Sequence, residues 1–168
     1  KKGSLWEGGT RVPFIAAWAS PQSDHPLQDK LPIKAGAIQS RMGVCYDIFP
    51  TLASVGGAKT PAGHAVDGRN LKNLLGGKTK QARPEVFLSH FPHSHASSYF
   101  TTYREGNWKL IYRYFPEPKK GEVRYALYNL RKDPSESNNL AEAQPAHTKR
   151  LTVAMIRDLE EKNALYPM

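Results

Sequence analysis

Cysteine is nearly absent from this chain, acidic residues are in short supply, and no long apolar run occurs. The one cysteine, Cys45, excludes an internal disulfide framework and a multi-cysteine zinc site. No stretch approaches the roughly 18 to 20 apolar residues that a membrane span needs. Fifteen Asp and Glu stand against 24 Lys and Arg, a formal net charge of +9 over 168 residues. That balance admits nucleic acid, anionic polymers and acidic substrates as partners. Aromatics are well supplied. Three Trp, eight Tyr and six Phe provide core material that disordered chains lack. Also missing are an initiator Met, an apolar leader and a cleavage site, because the chain opens Lys1-Lys2-Gly3-Ser4-Leu5-Trp6. Such an opening reads as the interior of something longer, so the compartment is not legible here.

The chain divides near residue 80. Before it, Val12 to Trp18 is a continuous apolar run that suits a strand buried on both faces of a parallel sheet. Val44 to Val55 carries Ile48, Leu52 and Val55 on one helical face, with Gly56-Gly57 as its stop. Residues 57–85 are rich in Gly, Lys and Pro and read as a surface connection with a small amphipathic piece at Leu71, Leu74 and Leu75. After it, Glu85–His90, Ser97–Arg104, Asn107–Phe115 and Val123–Leu130 read as strands, the middle two joined by a short turn at Glu105-Gly106. Trp108, Leu110, Tyr112 and Tyr114 alternate with Lys109, Ile111, Arg113 and Phe115, which predicts an antiparallel sheet with one covered face. Asp133-Pro134-Ser135-Glu136 has the form of a helix start. A longer helix is predicted over 145–163, with Leu151, Met155, Ile156 and Leu159 on its inner face. The fold class is therefore an α/β fragment, the tail of a sheet that needs further strands (residues 1–80). An α+β subdomain with a four-stranded antiparallel sheet and a C-terminal helix follows (residues 81–168).

Several residues could carry chemistry. The opening loop holds glycines and places a lysine ahead of an apolar run; its ammonium could meet an anion, or simply be solvated. His90, His93 and His95 lie close enough in sequence for zinc, but Pro92 breaks any helix and strand spacing puts neighbours on different faces. From Arg104 to Lys132, eight basic residues stand against three acidic ones, with Tyr and Phe interleaved. That stretch fits nucleic acid, an anionic glycan, or the solvated outer face of a sheet. Cys45 reads as a small buried apolar residue.

The segment Lys2-Gly3-Ser4-Leu5-Trp6-Glu7-Gly8-Gly9-Thr10-Arg11-Val12-Pro13 resembles a signature of the sulfatase family, in the alkaline-phosphatase-like superfamily. Further matches follow in the family's order. Asp47-Ile48-Phe49-Pro50-Thr51-Leu52 is similar to its Asp-x-x-Pro-Thr-Leu helix. Asp67-Gly68-Arg69-Asn70-Leu71 is similar to its Asp-Gly-x-x-Leu element. Arg104 to Ile111 resembles its Arg-x-Gly-x-aromatic-Lys-Leu-Ile hairpin. Leu127-Tyr128-Asn129-Leu130, with Asp133-Pro134, Glu136 and Asn139-Leu140, resembles its last motif.

The resemblance implies sulfate-ester hydrolysis by a formylglycine nucleophile and a divalent metal, usually calcium. It implies that Lys2 contacts the sulfate; Lys1 does not match that position. Glu7, Gly8, Gly9 and Arg11 become the loop that aims Lys2, the glycines allowing backbone angles that other residues resist. His90 or His93 becomes a substrate-pocket residue. No Cys-x-Pro-x-Arg or Ser-x-Pro-x-Arg occurs, and Cys45 does not fit that pattern. Nucleophile and metal ligands are therefore expected in upstream sequence, calcium only in the full-length parent, and no activity from these residues alone. The expected partners are a sulfated substrate (possibly a sulfated polysaccharide) and the upstream part of the catalytic domain, without nucleic acid. A periplasmic or extracellular setting is expected by resemblance. Competing readings are another phospho- or sulfohydrolase of the superfamily and a non-enzymatic basic module binding anionic glycan or nucleic acid.

Overall fold

The computed structural model describes residues 4–20, 25–78, 85–93 and 99–168. The chain forms two compact units, one of Lys1–Pro13 with Pro84–Met168 and one of Phe14–Arg83. The opening segment thus clusters with residues that lie far along the chain.

The first unit is built on a four-stranded antiparallel meander of β1 (Val86–Phe91), β2 (Phe100–Glu105), β3 (Trp108–Arg113) and β4 (Tyr125–Asn129). Leu88, Tyr103, Leu110 and Leu127 fall opposite one another across the four strands, so an apolar row crosses one face. Helix α5 (Pro145–Glu161) covers that face with Leu151, Met155 and Leu159, four residues apart. Ile156, expected on the inner face, is exposed because the stripe follows the four-residue spacing alone. The β2–β3 turn places Gly106 at φ +57, a left-handed conformation that glycine adopts without a Cβ penalty.

The opposite face is also covered, which corrects the expectation of one covered face. Leu5 joins Phe100, Ile111, Ala126, Tyr128 and Leu130 in a second apolar cluster. Lys109 and Arg113, which alternation alone would leave to solvent, are buried there. The short helix α1 (Glu7–Thr10) follows directly. Asp133-Pro134-Ser135-Glu136 forms turns rather than the expected helix start. Glu136 is left-handed at φ +55, a conformation that cannot propagate a right-handed helix.

The second unit contains α2 (Pro26–Lys30), a 3-10 turn (Cys45–Asp47) leading into α3 (Ile48–Gly56), and α4 (Lys72–Leu75). Helix α3 stops at Gly57, left-handed at φ +71. Two expectations are corrected. Val12–Trp18 pairs with no strand among the described residues, and Ile15 is 89% exposed. An isolated strand leaves its N–H and C=O groups without ladder partners, so the run stays irregular. Ile48, Phe49 and Leu52 of α3 are exposed, while Thr51 is its buried residue. Cys45, read as a buried apolar residue, is exposed as well.

Side-chain clamps hold this unit instead. The fully buried Asp47 accepts the Val44 N–H at 3.0 Å on Oδ2 and the Arg69 N–H at 2.9 Å on Oδ1. Thr51 Oγ1 donates to the Asp47 carbonyl at 2.7 Å and accepts the Leu71 N–H at 2.8 Å. The Arg69 and Leu71 bonds pin the Asp67–Leu71 segment to Asp47 and Thr51, and the other two hold those side chains in place. At Gly68 a Cβ would sit 2.1 Å from the Tyr46 carbonyl oxygen, so only glycine permits the approach. We predict that Gly68→Ala destabilises this unit by about 3 kcal/mol, as overpacking against backbone does. Chemical denaturation of the full-length protein checks it; an unchanged midpoint would show that the approach is not this close.

Candidate functional site

The covered face that carries Leu5 holds a buried cluster of four charges. In β3, Lys109 Nζ lies 3.0 Å from Glu7 Oε1 and 2.7 Å from Glu136 Oε1. Arg104, opposite Lys109 in β2, places Nη1 3.5 Å from Glu7 Oε2. The Glu7 backbone N–H donates to Glu136 Oε2 at 2.6 Å, closing the circuit. Contact between Lys109 and Glu136 Oε1 is an ion pair rather than a well-angled hydrogen bond. Two carboxylates and two cations balance, which is the condition under which charges tolerate burial.

Local sequence explains how each member arrives. Period-two alternation puts Lys109 on the same face as Ile111, and the hairpin register brings Arg104 beside it. Glu136 is delivered by a folded turn. Asp133 Oδ1 accepts the Ser137 N–H at 3.1 Å and the Ser137 hydroxyl at 2.9 Å, and its Oδ2 accepts the Asn138 N–H at 2.9 Å. Those backbone donors, Asn138 first, hold the Asp133 carboxyl below the usual aspartate range. Asn139 Oδ1 then accepts the Leu127 and Ala141 N–H groups at 2.9 and 3.0 Å, which ties the turn to β4. Glu7 is delivered by its neighbours. Leu5 is buried in the apolar cluster, and the Trp6 ring meets Tyr128 edge-on with the Arg113 guanidinium 5.6 Å from its centroid.

Of the residues read from sequence, Lys2 lies outside the described residues, as does His95. Glu7 is buried at the centre of the cluster. Gly8 and Gly9 lie inside the helical turn α1, so the expectation of unusual backbone angles is corrected; a Cβ at Gly8 would meet open space. Arg11 is exposed at the end of that turn. His90 lies on the α5 face of the sheet. Its Nδ1 is 2.7 Å from Thr101 Oγ1 and its Nε2 is 2.8 Å from the Leu165 carbonyl. A carbonyl only accepts, so Nε2 carries the proton in the neutral ring. His93 is exposed beyond β1, its ring 5.8 Å from that of Phe91.

Sequence reasoning placed Arg104 and Lys109 in a basic stretch and Glu136 in a helix start, and brought none of them to Glu7. The signal was present in the alternation that placed Lys109 beside the buried Ile111, and in a Glu fixed by motif spacing. Among the described residues, no group of three or more His, Cys, Asp or Glu side chains could hold a metal ion.

A family model described as "N-sulphoglucosamine sulphohydrolase, C-terminal" matches residues 2–164. Arylsulfatase H of Canis lupus familiaris is 30% identical over 155 residues, covering 80% of this chain and 25% of that protein. N-acetylgalactosamine-6-O-sulfatase of Bacteroides thetaiotaomicron is 31% identical over 159 residues, covering 90% of this chain and 28% of that protein. A solved structure of BT4656 in complex with its substrate D-glucosamine-2-N,6-O-disulfate aligns with a TM-score of 0.61 at 24% identity. It covers 76% of this chain and 26% of that one, and the likeness is one of fold. The chain spans about a quarter of the length of the curated relatives it matches.

Two predictions follow from the cluster and its turn. Lys109→Met leaves two carboxylates buried without their shared ammonium and should cost about 3–5 kcal/mol. Denaturant titration of the full-length protein measures this, and a loss below about 1 kcal/mol would mean that the cluster opens to water. Asp133 has a lowered folded pKa, so its stabilising contribution is fully present above the ordinary aspartate value of 3.8 and is lost as pH falls through the lower folded value. The Asp133→Asn variant should lose less stability than the wild type over that acid range; parallel pH profiles would contradict the assignment.

Proposed function

The chain belongs to the sulfatase family through that family's C-terminal region, and on this premise we propose that it forms the C-terminal part of an enzyme that hydrolyses sulfate esters of a carbohydrate or aryl alcohol. The observation that carries the reading is the anchored loop. Glu7 is fastened to the sheet by Lys109, Arg104 and Glu136, five residues after Lys2 in the sequence. A charged ligand is neutralised best by a cation whose position is fixed before the ligand arrives.

In this reading Lys2 meets the sulfate group of the ester. Its ammonium is a compact point charge that offsets the charge of the sulfuryl oxygens while the ester bond breaks. Glu7 acts through the backbone between it and Lys2, as a positioning residue. Arg11, Gly8 and Gly9 complete the loop. His93 lies on the leaving-group side, exposed and able to donate to a sugar hydroxyl. His90 would serve the same side with its ring orientation set by Thr101 and Leu165. The family's nucleophile and calcium would be held by residues outside this chain, the nucleophile to attack sulfur and the metal to offset the charge of the sulfuryl oxygens. The 168 residues alone are accordingly inactive. The exposed apolar residues of Phe14, Ile15, Phe49 and Leu52 are where the rest of the catalytic domain would pack. The setting is periplasmic or extracellular, where sulfated polymers are met.

The test uses the full-length protein with a small aryl sulfate and a sulfated sugar. Lys2→Ala should lower kcat by about 10²-fold or more with the thermal midpoint unchanged, while Lys1→Ala should leave kcat within twofold. His93→Ala should raise KM for the sugar more than for the aryl sulfate. Faster turnover of the matching phosphate ester, or of sulfate ester by the isolated 168-residue chain, would overturn the reading.

A further inference from the structure

The α5 face of the sheet ends in a group of tyrosines beside His90, whose ring centroid lies 6.0 Å from that of Tyr114 and 6.2 Å from that of Tyr166. Tyr112 of β3 lies opposite Tyr125 of β4, their ring centroids 5.2 Å apart. Tyr114, two residues further on, meets Tyr112 at 4.9 Å. Tyr166, from the segment after α5, meets Tyr114 at 6.1 Å and is half exposed. Arg124 borders the group. Its Nη1 donates to the Tyr112 hydroxyl at 3.2 Å and to the Tyr114 carbonyl at 3.3 Å, with its guanidinium 5.9 Å from the Tyr112 ring centroid.

The charges at this end are unbalanced. Residues 115–123 connect Tyr114 to Arg124 and carry Lys119, Lys120, Glu117 and Glu122. Glu117 is paired with Lys120 at 2.8 Å, and Glu122 faces Arg113 at 3.9 Å. Arg124 and Lys119 have no acidic partner among the described residues and remain available to an anion.

We propose that Tyr112, Tyr114, Tyr125, Tyr166 and Arg124 form a binding surface that continues outward from His90 and takes the length of an anionic glycan chain beyond the ester that is cleaved. A pyranose ring has an apolar C–H face and a hydroxyl rim; a tyrosine offers an apolar body with a hydroxyl tip, at little entropic cost. Arg124 presents a fork of N–H donors suited to sulfate or carboxylate. Nucleic acid is the weaker match. The rings stand at 85°, 51° and 74° to one another, so they offer no parallel faces for successive bases, and the cations are too few to follow a phosphate backbone. Strand alternation puts Tyr112 on the face opposite Lys109, so a glycan held here leaves the Glu7 anchor untouched.

The choice of ligand rests on the sulfate-ester reading, so the experiment separates binding from turnover. Calorimetry on the full-length protein measures affinity for a chondroitin-sulfate decasaccharide, its desulfated counterpart and a thymidine 15-mer. Arg124→Gln should weaken binding of the sulfated decasaccharide about tenfold, the loss of a charge-assisted hydrogen bond, and Tyr166→Ala by a smaller factor. Arg124→Gln should weaken binding of the desulfated form, which keeps its carboxylates, by a smaller factor. Turnover of a small aryl sulfate should be the same in Arg124→Gln as in the wild type. No binding, affinity unchanged in both variants, or tighter binding of the thymidine 15-mer would each overturn the proposal. Failure of the wild type to turn over the aryl sulfate would instead count against the sulfate-ester reading, with the binding result still readable.

Discussion

One ammonium group between two carboxylates determines how the sheet unit closes. Lys109 draws Glu7 and Glu136, separated by 129 residues, onto one face of β3. Burying charges costs free energy, and an apolar replacement of equal volume is often no less stable. What the ions supply is placement. An apolar contact between residues 7 and 136 would tolerate sliding, whereas both oxygens of Glu136 and both of Glu7 each have a fixed partner. The strained backbone of Glu136, at φ +55, persists because Asp133 folds the turn around it and because its carboxylate is held inside. Leu5 and Trp6 then seal the face over apolar strand residues.

The second unit uses the same device on a smaller scale. Asp47 and Thr51 satisfy backbone donors of distant segments, and Gly68 permits the close approach that makes those bonds possible. Most of the motif residues that mark the family are therefore accounted for by architecture. Asp47, Thr51, Gly68, Asp133, Glu136 and Asn139 hold backbone in place, and none of them needs to touch a substrate. Chemistry in such a chain rests on the few residues that the architecture presents, and function has to be argued from those.

Elements with local signals were legible in the sequence. All four strands and α5 followed from alternation, the Gly106 turn and the Leu151–Leu159 spacing. Features decided by distant partners were not. Asp-Pro-x-Glu suits a helix start and a folded turn equally, and the pull of Lys109 on Glu136 decided between them. Lys109 looked solvated because its acidic partners lie far off in sequence, and Arg113 because the Trp6 ring it meets comes from the opening segment. Val12–Trp18 has the composition of a buried strand, but composition cannot supply the neighbouring strands that make one. For the site, Glu7 was legible as a loop residue, while its partners appeared only once the hairpin register was known.

Amide hydrogen exchange at Glu7 tests the anchor most directly. Its N–H donates to a buried carboxylate oxygen at 2.6 Å rather than to a strand or helix partner. If the cluster fixes the loop, this amide exchanges as slowly as that of Ile111 in the central strand β3 and loses its protection in Glu136→Ala, while Ile111 keeps its own. An amide at Glu7 that exchanges at the rate of an open chain in the wild type would contradict the anchor.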